Sequence, residues 1–71
     1  MQFDFNYLRG VIKGKNYTER DFAKEIGMVR QTLSNKLNNK VPFTQEEMYK
    51  IKNKLNLNTQ NFMKCFFKDV I

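Results

Sequence analysis

The chain has no histidine, no tryptophan, one cysteine and one proline among its 71 residues. A lone thiol, Cys65, excludes an internal disulfide, and without imidazole neither a zinc site nor a Cys–His nucleophile can be assembled. No metal or cofactor is expected, and with no ligand domain in the chain no small-molecule ligand is expected either. The seven carboxylates form no paired arrangement, and general acid–base chemistry has no histidine to draw on, so catalysis is not expected either. No apolar run approaches the roughly 18 residues of a membrane span. The opening Met1-Gln2-Phe3-Asp4 lacks the basic patch and apolar stretch of a secretion signal. The sequence accordingly reads as cytoplasmic, with no membrane partner.

What is present is positive charge. Thirteen Lys and Arg against seven acids give +6, an excess that favours polyanions over neutral partners. A chain this short buries only about 60% of its unfolded surface, so it needs either close helix packing or a partner subunit.

Apolar spacing follows the helical period almost throughout, which predicts one all-α domain over 1–71. The first helix opens at Asp4 as N-cap, carries Phe5, Leu8 and Ile12 inward and stops near Lys13–Lys15 at Gly14. Gly10 lies within it, where close packing against a neighbour would explain the glycine. A second helix starts from Thr18, with Asp21 returning a capping bond, buries Phe22, Ala23 and Ile26, and ends at Gly27. A third runs from about Val29 to Leu37 with Leu33 and Leu37 inward. Thr44-Gln45-Glu46-Glu47 is a capping box, stapled by Phe43 and Met48, that opens a fourth helix with Met48, Ile51 and Leu55 inside. Asn58 or Thr59 caps a short fifth helix near 60–65. Residues 66–71 finish that helix, run extended or pair as a strand.

The stretch Glu19–Asn38 carries the functional signal. Two short helices meet at a tight corner, with small Ala23 at the approach and Gly27 at the turn. The outer face of the third helix is Val29, Arg30, Gln31, Ser34 and Asn35, groups suited to base edges. Arginine forks onto guanine O6 and N7, glutamine or asparagine onto adenine N6 and N7, and valine onto a thymine methyl. Thr18, Arg20, Lys36, Asn38, Asn39, Lys40 and Thr44 surround that face as candidates for backbone phosphates. Lys50, Lys52 and Lys54 alternate around a helix and read as solubilising. Packing is expected for Tyr7, Tyr17 and Tyr49, and for a buried Cys65. Phe62 and Phe66 fit the core, while Phe66, Phe67, Val70 and Ile71 together exceed one narrow face and suggest a dimer contact.

The stretch resembles the helix-turn-helix of the phage repressor and Cro-like (Xre) family. Ala23, Gly27, Leu33 and Asn38 match its framework, and Arg30, Gln31 and Asn35 occupy its base-reading positions. Residues 34–40 followed by 43–47 are similar to small Cro-like proteins of phages from Gram-positive bacteria. Val29 stands where Ser or Thr is common, Asn39 replaces a frequent Gly, and Lys36 holds a place often apolar. The resemblance implies a five-helix lambda-repressor-like domain that binds operator DNA as a homodimer and regulates transcription, usually as a repressor, on the host nucleoid. The alternative is a protein-interaction module, an antitoxin or anti-repressor, using the same helices.

Overall fold

One backbone device is repeated at four helix ends. In the computed structural model, which describes residues 3–67, the helices are α1 (Asn6–Gly14), α2 (Glu19–Glu25), α3 (Arg30–Leu37), α4 (Gln45–Lys54) and α5 (Thr59–Phe66). Helices α1 to α4 each end in a left-handed residue: Asn16, Gly27, Asn39 and Asn56, with φ of 66°, 77°, 62° and 56°. Each end carries the paired bonds of a Schellman motif, as in Met28 N–H to the Ala23 carbonyl (2.8 Å) and Lys40 N–H to that of Asn35 (2.9 Å). Orphan carbonyls are thereby satisfied, and the chain reverses within two residues. Gly and Asn are the residues that enter this region at least cost, so Asn39 holds the turn as a glycine would. α1 ends at Gly14, as expected, but the left-handed residue that turns the chain is Asn16. Gly10 is exposed, and a Cβ there would meet nothing within 4 Å, so close packing does not explain it.

Helix starts follow the hydroxyl and amide pattern, with two exceptions. Thr18 Oγ1 accepts from Asp21 N–H, Thr44 forms the full box with Glu47, and Asn58 Oδ1 accepts from Asn61 N–H. Asp21 returns no bond to Thr18. The N-cap of α1 is Phe5 rather than Asp4, although Asp4 Oδ1 accepts from Asn6 N–H at 2.9 Å. The other exception is Val29, which caps α3 with no side-chain bond.

Leu8, Ile12, Phe22, Ala23, Ile26, Leu33, Leu37, Ile51 and Leu55 form the core, joined by Leu57, Cys65 and Phe66. One end of it is aromatic: Phe43 meets Phe5 at 5.2 Å and Phe66 at 5.3 Å, both edge to face. Such pairs contribute about 0.5–1.5 kcal/mol each beyond their burial, which helps a chain with so little interior. Burial pushes the Cys65 thiol up to about 11, consistent with packing as its role. Tyr7 donates to Asn61 Oδ1, tying α1 to α5, and Tyr17 packs on Phe22. Tyr49 departs from expectation: it is 64% exposed and does not fill the core. Among the described residues no β-strand forms, and no helix is long and apolar enough to cross a membrane. Whether the chain beyond Phe67 is extended lies outside the described residues.

Candidate nucleic-acid interface

The sequence of α3 sorts itself by side. Leu33 and Leu37 are buried, and Leu33 lies in one cluster with Phe22 and Ala23 of α2. Four residues, Ile26 to Val29, join the two helices, with Gly27 at the turn. With Leu33 and Leu37 fixed inward, the leading end of the helix and the side that carries Gln31 and Asn35 face solvent. Val29 is 67% exposed, Arg30 and Gln31 are exposed, and Ser34 and Asn35 are half-buried beside them. Gln31 Nε2 donates to Asn35 Oδ1 at 3.0 Å. One amide thus orients the other, so that less side-chain freedom remains to be lost on contact. Because Val29 has no hydroxyl, it makes no side-chain cap bond to the first amides of α3, which leaves them to an outside acceptor at the positive end of the helix dipole.

Basic groups flank this tip. Arg20, Lys24 and Arg30 line a shallow groove with Met28 and Val29. Glu19 and Asp21 stand in the neighbouring concavity beside Arg20 and Arg30, so the positive field is strongest on the Lys24 side. The sequence reading missed Lys24, although its spacing of four from Arg20 puts both on one face of α2. Among the described residues no carboxylate pairs with Arg20, Lys24, Arg30 or Lys40. Lys54, by contrast, stands 3.7 Å from Glu25.

The expected phosphate set divides. Thr18, Arg20, Lys40 and Thr44 are exposed, although Thr18 and Thr44 also cap their helices. Lys36 is not available: only 6% exposed, it donates through Nζ to Glu47 Oε1 (2.7 Å) and to the Pro42 carbonyl (3.1 Å). Its stem is buried, and its ammonium joins α3 to the start of α4. Burial acts to raise the Glu47 carboxyl, but the bonds from Lys36 and from the Thr44 amide, with the lysine charge, hold it below the ordinary range.

Asn39 is likewise spent on the fold. Its Oδ1 accepts from Phe3 N–H (3.0 Å) and its Nδ2 donates to the Phe3 carbonyl (2.8 Å), so the amide pairs with the N-terminal backbone as a strand would. Asn38 is exposed, but its Oδ1 accepts from Arg9 Nη2 at 2.7 Å. Arg9 was not singled out from sequence; it also bonds Glu19 and the Leu37 carbonyl. Nothing in the local pattern of α1 marks it, since its partners in α3 and the turn after it lie 28 and 29 residues away.

The suggested dimer surface divides too. Phe66 is 3% exposed, packed against Phe5, Phe43 and Phe62, and belongs to the core. Phe67 is 46% exposed on the rim of an apolar cleft with Phe3, Val41, Pro42 and Met48. Val70 and Ile71 lie outside the described residues.

A sequence profile described as "Protein of unknown function (DUF739)" matches residues 1–69, and the chain belongs to this family. No curated protein matches it.

Proposed function

We propose that this DUF739 protein is a sequence-specific DNA-binding regulator of transcription that inserts the leading half of α3 into the major groove. One observation carries the proposal: Val29, Arg30 and Gln31 stand exposed at the leading end of a helix that Leu33 and Leu37 fix in the core. A groove about 12 Å wide admits such a helix, and these three groups address guanine, adenine and the thymine methyl. Arg20, Lys24 and Lys40 are exposed on α2 and after α3, where they supply the salt-dependent attraction to backbone phosphates. The net charge of +6 agrees.

Membership of the phage repressor and Cro-like (Xre) group is part of the same proposal, as is binding in the cytoplasm of a bacterial host. So is a homodimer on a near-palindromic operator, with two α3 helices in successive major grooves about 34 Å apart. The protein acts by occupancy rather than catalysis, without a small-molecule effector, and represses by excluding polymerase.

The test is selection of bound sites from random duplex DNA at two salt concentrations. An inverted-repeat consensus, with selectivity surviving the higher salt, is the expected result; recovery of unselected sequence would end the proposal. The apolar cleft beside Phe67 favours a second reading, a protein-interaction module such as an antitoxin or anti-repressor, in which DNA affinity is weak and unselective.

A further inference from the structure

Arg9 joins three parts of the molecule. Nη1 donates to Glu19 Oε2 at 3.2 Å, at the start of α2. Nη2 donates both to the Leu37 carbonyl at 3.1 Å and to Asn38 Oδ1 at 2.7 Å, where α3 ends. A guanidinium meets the three acceptors from two separate nitrogens of one planar fork, a spread that the single nitrogen of a lysine ammonium lacks.

The consequence falls on Asn38. An asparagine amide has one accepting and one donating end. Arg9 takes the accepting end, so Nδ2 is the end left to neighbours, and its one intramolecular contact is a long bond to Ser34 Oγ at 3.5 Å. Phosphate oxygens accept hydrogen bonds and cannot donate them, so an amide held with its donor outward suits a DNA backbone and the flipped amide does not. Asn38 is exposed and stands one turn after Ser34, at the edge of the proposed reading face.

We infer that Arg9 is a positioning residue, which touches no DNA itself and fixes Asn38 donor-outward for a phosphate while holding the end of α3 against α1. The inference rests on the DNA-binding reading above.

Three variants test it: Arg9→Met, Arg9→Lys and Asn38→Asp. Each is titrated against a fluorescent random-sequence duplex over a range of salt, with thermal unfolding followed separately. Arg9→Met loses affinity about fivefold, the worth of one ordered hydrogen bond, while the slope of log affinity against log salt stays as in the wild type. Arg9→Lys, able to reach one of the acceptors, falls between. Asn38→Asp keeps its melting temperature, because Arg9 now grips a carboxylate, yet loses at least about tenfold in affinity by turning an anion toward phosphate.

A slope lower by about one in Arg9→Met would place the guanidinium on a phosphate directly and overturn the inference. Wild-type affinity in either Arg9→Met or Asn38→Asp overturns it as well. Wild-type protein with no salt-dependent affinity for the duplex is a different failure, that of the DNA-binding reading itself.

Discussion

The two halves of α3 contain similar polar residues and do opposite things. Among the described residues Arg30 and Gln31, in the leading half, bond to no other element, and Val29 leaves the helix start uncapped. In the trailing half and the turn after it, Lys36 is clamped to Glu47 and Pro42, Asn38 to Arg9, and Asn39 to Phe3. One end is free and the other is bolted to α1, to α4 and to the N-terminal backbone. A polar side chain at a helix end is therefore no sign of a ligand until its own partners have been counted. The bolted half gives the free half a fixed direction, as a binding tip on so short a helix requires.

The largest effect separating the halves is expected at Lys36. Lys36→Ala removes a buried stem and leaves Glu47 without its cation, and it should lower unfolding free energy by about 3 kcal/mol in denaturant titration. Lys36→Met keeps the stem, so the folded variant should bind duplex with an unchanged salt slope. If that slope drops by about one, the lysine was meeting phosphate after all and the division of α3 fails. Next comes Arg30→Ala. Stability should hold within about 0.5 kcal/mol, the range of plain surface changes, while operator binding weakens by about 1–3 kcal/mol and discrimination relaxes at one base pair. Unaltered selectivity would remove Arg30 from the reading face. Asn39→Gly is smaller. Glycine keeps the left-handed turn but not the two bonds to Phe3, for a loss of about 1 kcal/mol. Asn56→Gly, where no side-chain bond is made, should change the denaturation midpoint far less. Equal losses at the two sites would mean that the Asn39 clasp contributes nothing.

This division also marks what the sequence could and could not convey. Helix starts at Thr18, Thr44 and Asn58 and the Gly27 corner were legible because capping is decided within four residues. The inward stripe was legible because period separates Leu33 and Leu37 from Gln31 and Asn35; Arg30 shares their side of the helix and is exposed because it stands at the leading end. The bolts were not, since each joins residues far apart along the chain: 36 positions for Asn39 and Phe3, 29 for Asn38 and Arg9, 11 for Lys36 and Glu47. The one visible trace of them was that the resemblance to Cro-like proteins leads one to expect an apolar residue where Lys36 stands. Phe66 was legible as apolar but not as inside or outside. That choice depends on Phe5 and Phe43, which reach it from the far end of the chain and from the loop before α4.

The smallest effect tests the bolt by pH. Glu47 has its carboxyl held below the ordinary value of 4.5 in the folded protein, so the folded state favours the ionised form more than the unfolded chain does. The stabilisation is complete above that ordinary value and is lost as pH falls through the lower folded one. Glu47→Gln keeps an oxygen that can accept from Thr44 N–H and Lys36 Nζ, but it cannot titrate. At neutral pH it should cost on the order of 1 kcal/mol, because the carboxylate is partly exposed and screened. Between pH 5 and the acid limit its stability curve, measured as denaturation midpoint at each pH, should fall less steeply than that of the wild type. Parallel curves would mean that the Lys36–Glu47 pair adds no charge-dependent stability, leaving the burial of the lysine stem to hold the trailing half of α3.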